Sequence, residues 1–211
     1  MPTHIETIVF DLGGVLIDWN PDYVFDKLFD SEDRKRYFYE YICTHEWNLQ
    51  QDAGRSLAEA TEERVKLFPD WEGPIRAFYG RWEEMLGGPI HDSVEVLRRL
   101  KEKGQHRLLA LTNWSAETFP VALGRYEFLH WFEGIVVSGT EGVIKPERRI
   151  YEILVDRYEV KPETAIFIDD NKANAEAAGQ VGIRGVHFKS PQQLIRELSE
   201  MGINTVNALK K

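Results

Sequence analysis

Three acidic side chains, a lysine and a hydroxyl residue in this 211-residue chain have the types that phosphate chemistry requires. Asp11, Asp169 and Asp170 offer hard carboxylate oxygens of the kind that hold Mg²⁺, while Thr112, Asn113 and Lys145 offer donors and a positive charge for a phosphoryl group. Together they are the parts needed for phosphoryl transfer through a carboxylate nucleophile. Asp11 ends the apolar run Ile8-Val9-Phe10 and is followed closely by Gly13-Gly14, where backbone without a Cβ can approach a ligand. Asp169-Asp170 ends a second apolar run, Ala165 to Ile168, and Thr112-Asn113 ends a third, Arg107 to Leu111.

Such groups meet only if the runs that carry them are neighbouring strands pointing the same way. Ile8–Phe10, 107–112, 134–138, 165–168 and 185–188 read as five short buried strands separated by helical stretches. That alternation predicts an α/β fold with a doubly wound, five-stranded parallel sheet, whose carboxyl edge opens a crevice for ligands. Helices are expected near 94–104, 116–126, 150–158, 172–180 and from Pro191 onward, with Leu194, Leu198 and Met201 on one face of the last. Lys145-Pro146 is expected to open the helix after the third strand and to project the ammonium into the same crevice. Residues 17–88 have a different character, rich in Trp, Tyr and Phe at helical spacing: Val24, Phe25 and Leu28; Tyr37 and Tyr41; Phe78, Trp82 and Met85. They predict a helical domain of packed amphipathic helices inserted into a core made of 1–16 and 89–211, hanging over the first strand as a lid. Trp47, Tyr79 and Trp114 are candidates for its mouth, with core packing the default for each. The tail after Gly202 is expected to fray.

Composition narrows the partners. Hydrophobic residues at 43% and charged residues at 29% are those of a globular protein. A formal net charge of −9 opposes binding to nucleic acid or an anionic membrane, and no apolar run reaches membrane-spanning length. The pairs Arg98-Arg99 and Arg148-Arg149 lie among carboxylates and read as solvated helix faces. A single cysteine, Cys43, excludes an internal disulfide and reads as a small buried hydrophobe. The first strand begins too early for a signal peptide, so a cytoplasmic protein is expected. Oligomeric state leaves no mark in the sequence.

In order, Phe10-Asp11-Leu12-Gly13-Gly14-Val15, Leu111-Thr112-Asn113, Lys145-Pro146 and Ile168-Asp169-Asp170 resemble the four motifs of the haloacid dehalogenase-like hydrolase superfamily, and the insertion resembles its helical type 1 cap. The resemblance implies a Mg²⁺-dependent phosphatase acting on a small phosphorylated metabolite. Asp11 would be the nucleophile, Thr112, Asn113 and Lys145 would hold the phosphoryl group, and Asp11, the Gly13 carbonyl, Asp169 and Asp170 would bind the metal. Asn174, one turn further on, reads as a helix cap or packing residue as readily as a site residue. One position departs from the pattern: most phosphatases of this superfamily carry a second Asp two residues after the nucleophile as general acid and base, and here that position is Gly13. Losing such a group typically costs on the order of 10²–10⁴-fold. A substrate that leaves easily is therefore expected, a sugar-1-phosphate such as glucose-1-phosphate being a candidate. Asp18, His45 and Glu46 are possible replacements for the acid, each with a turn, cap or surface role as the simpler reading. A 2-haloacid dehalogenase would also use Asp11 but not the acidic pair, a receiver-like domain would carry its acidic pair after the first strand, and a catalytically weak binding protein would have no use for the nucleophile.

Overall fold

The computed structural model describes residues 4–205. Its strands are β1 (Thr7–Phe10), β2 (Ile17–Trp19), β3 (Leu86–Pro89), β4 (Arg107–Thr112), β5 (Gly134–Val137), β6 (Ala165–Asp169) and β7 (Arg184–His187). Five of them form the expected parallel sheet in the order β5-β4-β1-β6-β7. The chain builds outward from β1 on one side and then on the other, so the switch of direction lies at the carboxyl end of β1, where an open sheet leaves its crevice. Register does the rest. Phe10 pairs with Ala110 and with Ile168, which sets Asp11, next along the chain, level with Leu111 and Asp169.

Both faces of the sheet are covered, which is why its strands are apolar without alternation. Ile8, Phe10, Leu108, Ile166 and Ile168 pack in one core with helices α6 (His91–Lys103) and α11 (Pro191–Glu200). Val9, Leu109, Leu111 and Phe167 pack in the other, against Ile150, Tyr151 and Leu154 of α9 (Arg148–Tyr158). No helix among the described residues is long and apolar enough to cross a membrane.

Between β2 and β3 lie five helices, α1 (Asp22–Phe25), α2 (Glu32–Tyr37), α3 (His45–Asp52), α4 (Leu57–Leu67) and α5 (Glu72–Gly80). Side chains of Ser31, Thr44 and Ser56 cap α2, α3 and α4 by accepting backbone N–H groups three residues on. Their interior is aromatic: Phe25 meets Phe38 at 4.8 Å and Phe78 at 5.8 Å between ring centroids, and Trp47 meets Phe78 edge-on at 5.3 Å. Each such pair contributes about 0.5–1.5 kcal/mol beyond its area burial.

Several expectations need correction. Tyr37 and Tyr41 are 46% and 57% exposed, their rings tilted against each other at 4.8 Å, and Leu28 is exposed as well. After α2 the chain widens into a π-helical turn, Phe38–Ile42, closed by the Cys43 N–H on the Phe38 carbonyl, and the shift in period puts Phe38 and Ile42 on the buried face instead. The short antiparallel pair β2/β3, at the two ends of the insertion, was not expected. Residues 116–118 are not helical, and α7 runs from Phe119 to Arg125 with a proline in its first turn. Pro146 does not open a helix. Its peptide bond with Lys145 is cis, and α9 begins two residues later. The tail is not loose where it is described: Ile203 and Thr205 are buried, and the Thr205 carbonyl accepts from Arg99 at 2.7 Å; positions 206–211 lie outside the described residues.

Candidate active site

Four residues named from the sequence meet at the carboxyl edge of the sheet. Lys145 is fully enclosed, and its Nζ donates to Asp11 Oδ1 (2.9 Å), Asp169 Oδ2 (2.7 Å) and the Leu111 carbonyl (3.1 Å). Asp11 Oδ1 also accepts from the Leu12 N–H at 2.8 Å, so this oxygen is doubly held, and Oδ2 receives no hydrogen bond from the described residues. Asp169 is completely buried. Its Oδ1 takes the Asn171 N–H (2.8 Å) and Asn174 Nδ2 (3.3 Å). Asn174 therefore orients an acidic residue, whereas Asn171 is the side chain that caps α10 (Lys172–Ala177).

Burial drives the electrostatics. It pushes the Asp11 carboxyl up to about 8, opposed by Lys145 and reinforced by Asp169 and Asp170. Asp170 rises for the same reasons, burial first and then Asp169. Burial alone would lower the Lys145 ammonium, but Asp11 and Asp169 outweigh it and hold it above its ordinary value. Oxygens of Asp11, Asp169 and Asp170 lie within 4.8 Å of one another. Three clustered carboxylates facing one ammonium lack positive charge, and the donor set is all oxygen, so Mg²⁺ fits the cluster.

Thr112 is buried and Asn113 half-buried, and both line the cavity above Asp11. The Asn113 side chain is not free for a ligand: Oδ1 accepts the Lys145 N–H (2.8 Å) and Nδ2 donates to the Lys145 carbonyl (3.0 Å). It clamps the backbone that carries the lysine. Gly13 also lines the cavity, and a Cβ placed on it would touch nothing within 4 Å.

The cavity encloses about 360 Å³ between the sheet edge and the inserted helices. Of the three candidates for the mouth, Tyr79 and Trp114 line the cavity, and Trp47 is buried and does not. Of the three possible replacement acids, only His45 reaches the wall. Asp18 accepts from the Tyr23 hydroxyl at 2.5 Å and Glu46 is fully exposed; neither lines the cavity. Trp19, Asn48, Asp52 and Trp82 were missed, although His45, Asn48, Leu49 and Asp52 form a stripe at helical spacing along α3 that was there to be read. Cys43 is buried, its thiol pushed up by burial, in keeping with a packing role.

A family model for haloacid dehalogenase-like hydrolases matches residues 5–182. The chain belongs to that family. It is 24% identical to a sesquiterpene phosphatase of Aspergillus oryzae, over 95% of this chain and 98% of the relative. It is 26% identical to a GMP/IMP nucleotidase of Escherichia coli, over 85% and 81%. Among solved structures, a HAD family enzyme of Bacteroides thetaiotaomicron, in complex with magnesium and inorganic phosphate, superposes with a TM-score of 0.66 at 21% identity, covering 88% of this chain and 94% of that one. A HAD-like hydrolase of Porphyromonas gingivalis superposes with a TM-score of 0.71 at 20% identity, covering 93% and 97%. The cofactor is Mg²⁺, and the carboxylate cluster is where it fits.

Proposed function

We propose that this hydrolase is a Mg²⁺-dependent phosphatase that cleaves a small phosphorylated metabolite through an aspartyl-phosphate on Asp11. The observation that carries the reading is the asymmetry of the Asp11 carboxylate: one oxygen is held by Lys145 and a backbone N–H, and the other has no donor among the described residues and lies on the lining of the cavity. The second oxygen attacks phosphorus and the phosphate–oxygen bond to the leaving group breaks. Lys145 offsets the charge of the phosphoryl oxygens and keeps Asp11 in one rotamer. The Thr112 hydroxyl and the Asn113 N–H receive those oxygens, and Asn174 and Lys145 keep Asp169 turned toward the site. Asp11, Asp169, Asp170 and the Gly13 carbonyl would hold Mg²⁺, which would supply electrophilic stabilisation of the transferring group. Water then attacks phosphorus, freeing Asp11 and phosphate.

In this reading residues 17–88 are a cap and 1–16 with 89–211 the core, and the cap keeps bulk water from the intermediate. The leaving group is uncharged, because Lys145 is the one Lys or Arg on the cavity wall among the described residues and is already engaged by carboxylates. Trp19, Trp82 and Trp114 give apolar faces, a surface suited to a sugar ring, so a sugar-1-phosphate such as glucose-1-phosphate is the substrate to try first. Two relatives named for removing phosphate from unlike molecules support the chemistry; the leaving group is argued from the cavity. A haloacid dehalogenase has no use for the carboxylate pair at 169 and 170.

Hydrolysis of p-nitrophenyl phosphate and acetyl phosphate should require Mg²⁺ and fall at least about 10³-fold in Asp11→Asn. Equal rates in the parent and the variant would eliminate the covalent reading. A preference for glucose-1-phosphate over glucose-6-phosphate is expected, and its absence would count against the sugar assignment.

A further inference from the structure

We propose that Asp52, at the end of α3 in the inserted segment, is the proton donor to the leaving group, in place of the acid that Gly13 cannot supply. The proposal rests on the phosphatase reading above. Nothing at position 13 can hand over a proton, and the space a side chain would take there is open. Asp52 lines the same cavity as Asp11, Thr112 and Lys145, on the wall facing them.

The geometry fixes this residue to the core as well as to its own helix. Asn48 Nδ2 donates to Asp52 Oδ2 at 3.2 Å, and the Ser115 N–H also donates to the carboxylate. The Asp52 carbonyl accepts the Ser138 hydroxyl at 2.6 Å, and the same hydroxyl receives the Trp114 N–H at 2.9 Å. Asp52 is thus tied at two points to the loop that begins with Thr112 and Asn113. The seat is tight. A Cβ on Gly54 would lie 2.9 Å from the Gly139 carbonyl, and one on Gly139 would lie 2.3 Å from the Ala116 nitrogen. Two glycines let the chain just after α3 press onto the segment that follows β5, and that segment onto the phosphate-side loop, which holds Asp52 beside the groups that receive the phosphoryl oxygens.

Other groups are less suited. His45 lines the mouth and is exposed, and the Tyr79 hydroxyl donates to Asn48 at 3.0 Å, with its proton held more firmly by burial. The titratable groups that line the cavity with Asp52 are Lys145, Asp11 and Asp170 from the core, Tyr79 from α5 and His45 from α3. Burial pushes Asp52 up to about 7, against the Ser115 N–H and Lys145, so near neutrality the group both holds and releases a proton. As Asp11 forms its bond to phosphorus, the electron pair of the breaking bond goes to the leaving oxygen. The Asp52 proton moves to that oxygen and the alcohol departs. The Asp52 carboxylate then takes a proton from the water that attacks the aspartyl-phosphate, which regenerates the acid and releases phosphate.

The test is a leaving-group series, from acetyl and p-nitrophenyl phosphate to hexose and simple alkyl phosphates, assayed as kcat/KM with Mg²⁺ for the parent and Asp52→Asn. The expected loss grows with the basicity of the leaving group, from under about tenfold on the first two to about 10²–10³-fold on the alkyl esters. The parent's fall in alkyl phosphate kcat/KM above about pH 7 should be missing in the variant. Adding Gly13→Asp to Asp52→Asn should recover at least tenfold on the alkyl esters, on the order of what a positioned acid contributes. A loss of equal size along the series, or no loss, would overturn the assignment, because misfolding or a binding defect does not track leaving-group basicity. A parent inactive on the whole series would instead remove the phosphatase reading, and the proposal with it.

Discussion

The two walls of the cavity are built on opposite principles. The core wall is saturated: Lys145 pairs with Asp11 at 2.9 Å and with Asp169 at 2.7 Å, Asn113 clamps the lysine backbone, and Asn174 holds Asp169. The wall made by the insertion is aromatic and carries no buried ion pair of this kind, and the indole Nε1 of Trp19 is buried without a partner among the described residues. A charged group that must stay put while bonds change is held by several neighbours at once, whereas a surface that admits one alcohol and rejects another needs shape more than charge. Asp52 is the exception on the insertion's side, because it is tied to the core.

Removing the hub of the saturated wall should have the largest effect. Lys145→Met leaves Asp11 and Asp169 buried without their ammonium, and breaking a buried pair in this way costs about 3–5 kcal/mol. Denaturant unfolding in EDTA should show this loss, and Mg²⁺ should return part of it. A loss below about 1 kcal/mol would mean that the wall is held by packing and not by charge.

Next comes the response to metal and pH. In the metal-free protein Asp11 holds its proton up to about 8, against 3.8 for an ordinary Asp side chain. The folded state thus binds this proton more tightly than the unfolded chain, so the group's contribution to stability is complete below about pH 4 and is lost as pH rises toward 8. Mg²⁺ needs that proton gone, and its stabilisation should grow over the same interval. At 100 times the dissociation constant measured at pH 8 it should add about 2.7 kcal/mol at pH 8, and at the same Mg²⁺ concentration less than half of that at pH 5, read from thermal melts. An increment independent of pH would show that Asp11 is not among the ligands.

Much of the saturated wall was legible in the sequence, and little of the other. Asp11, Thr112 and Asp169 sit at ends of apolar runs, and a parallel sheet brings such ends together whatever the loops do. Lys145 was legible as a residue but not in its backbone, because the clamp comes from Asn113, 32 positions earlier. On the insertion's side the reading failed where local patterns mislead. A π-helical turn shifted the buried face from Tyr37 and Tyr41 to Phe38 and Ile42. The β2/β3 pair was hidden because Leu86-Gly87-Gly88-Pro89 looks like a break, and Asp52 because Asp-Ala-Gly looks like a turn.

The smallest expected effects contrast adjacent glycines. Gly14 has φ +70°, and a Cβ there would lie 2.3 Å from Asp170 Oδ2, whereas a Cβ on Gly13 would meet nothing within 4 Å. Gly14→Ala should cost about 1 kcal/mol from its left-handed backbone. The Asp170 carboxylate can swing away from the new methyl, so the strain should appear as weaker Mg²⁺ binding more than as lost stability. Gly13→Ala should stay within about 0.5 kcal/mol of the parent and keep its metal affinity, since it only fills space between the two walls. Isothermal titration with Mg²⁺ and thermal melts of the two variants separate these outcomes. Equal loss of affinity in both would mean that the loop, and not Asp170, is what the methyl disturbs. A destabilised Gly13→Ala would show that the gap left by the missing acid has closed, and the Gly13→Asp rescue of Asp52→Asn would then have no room to work.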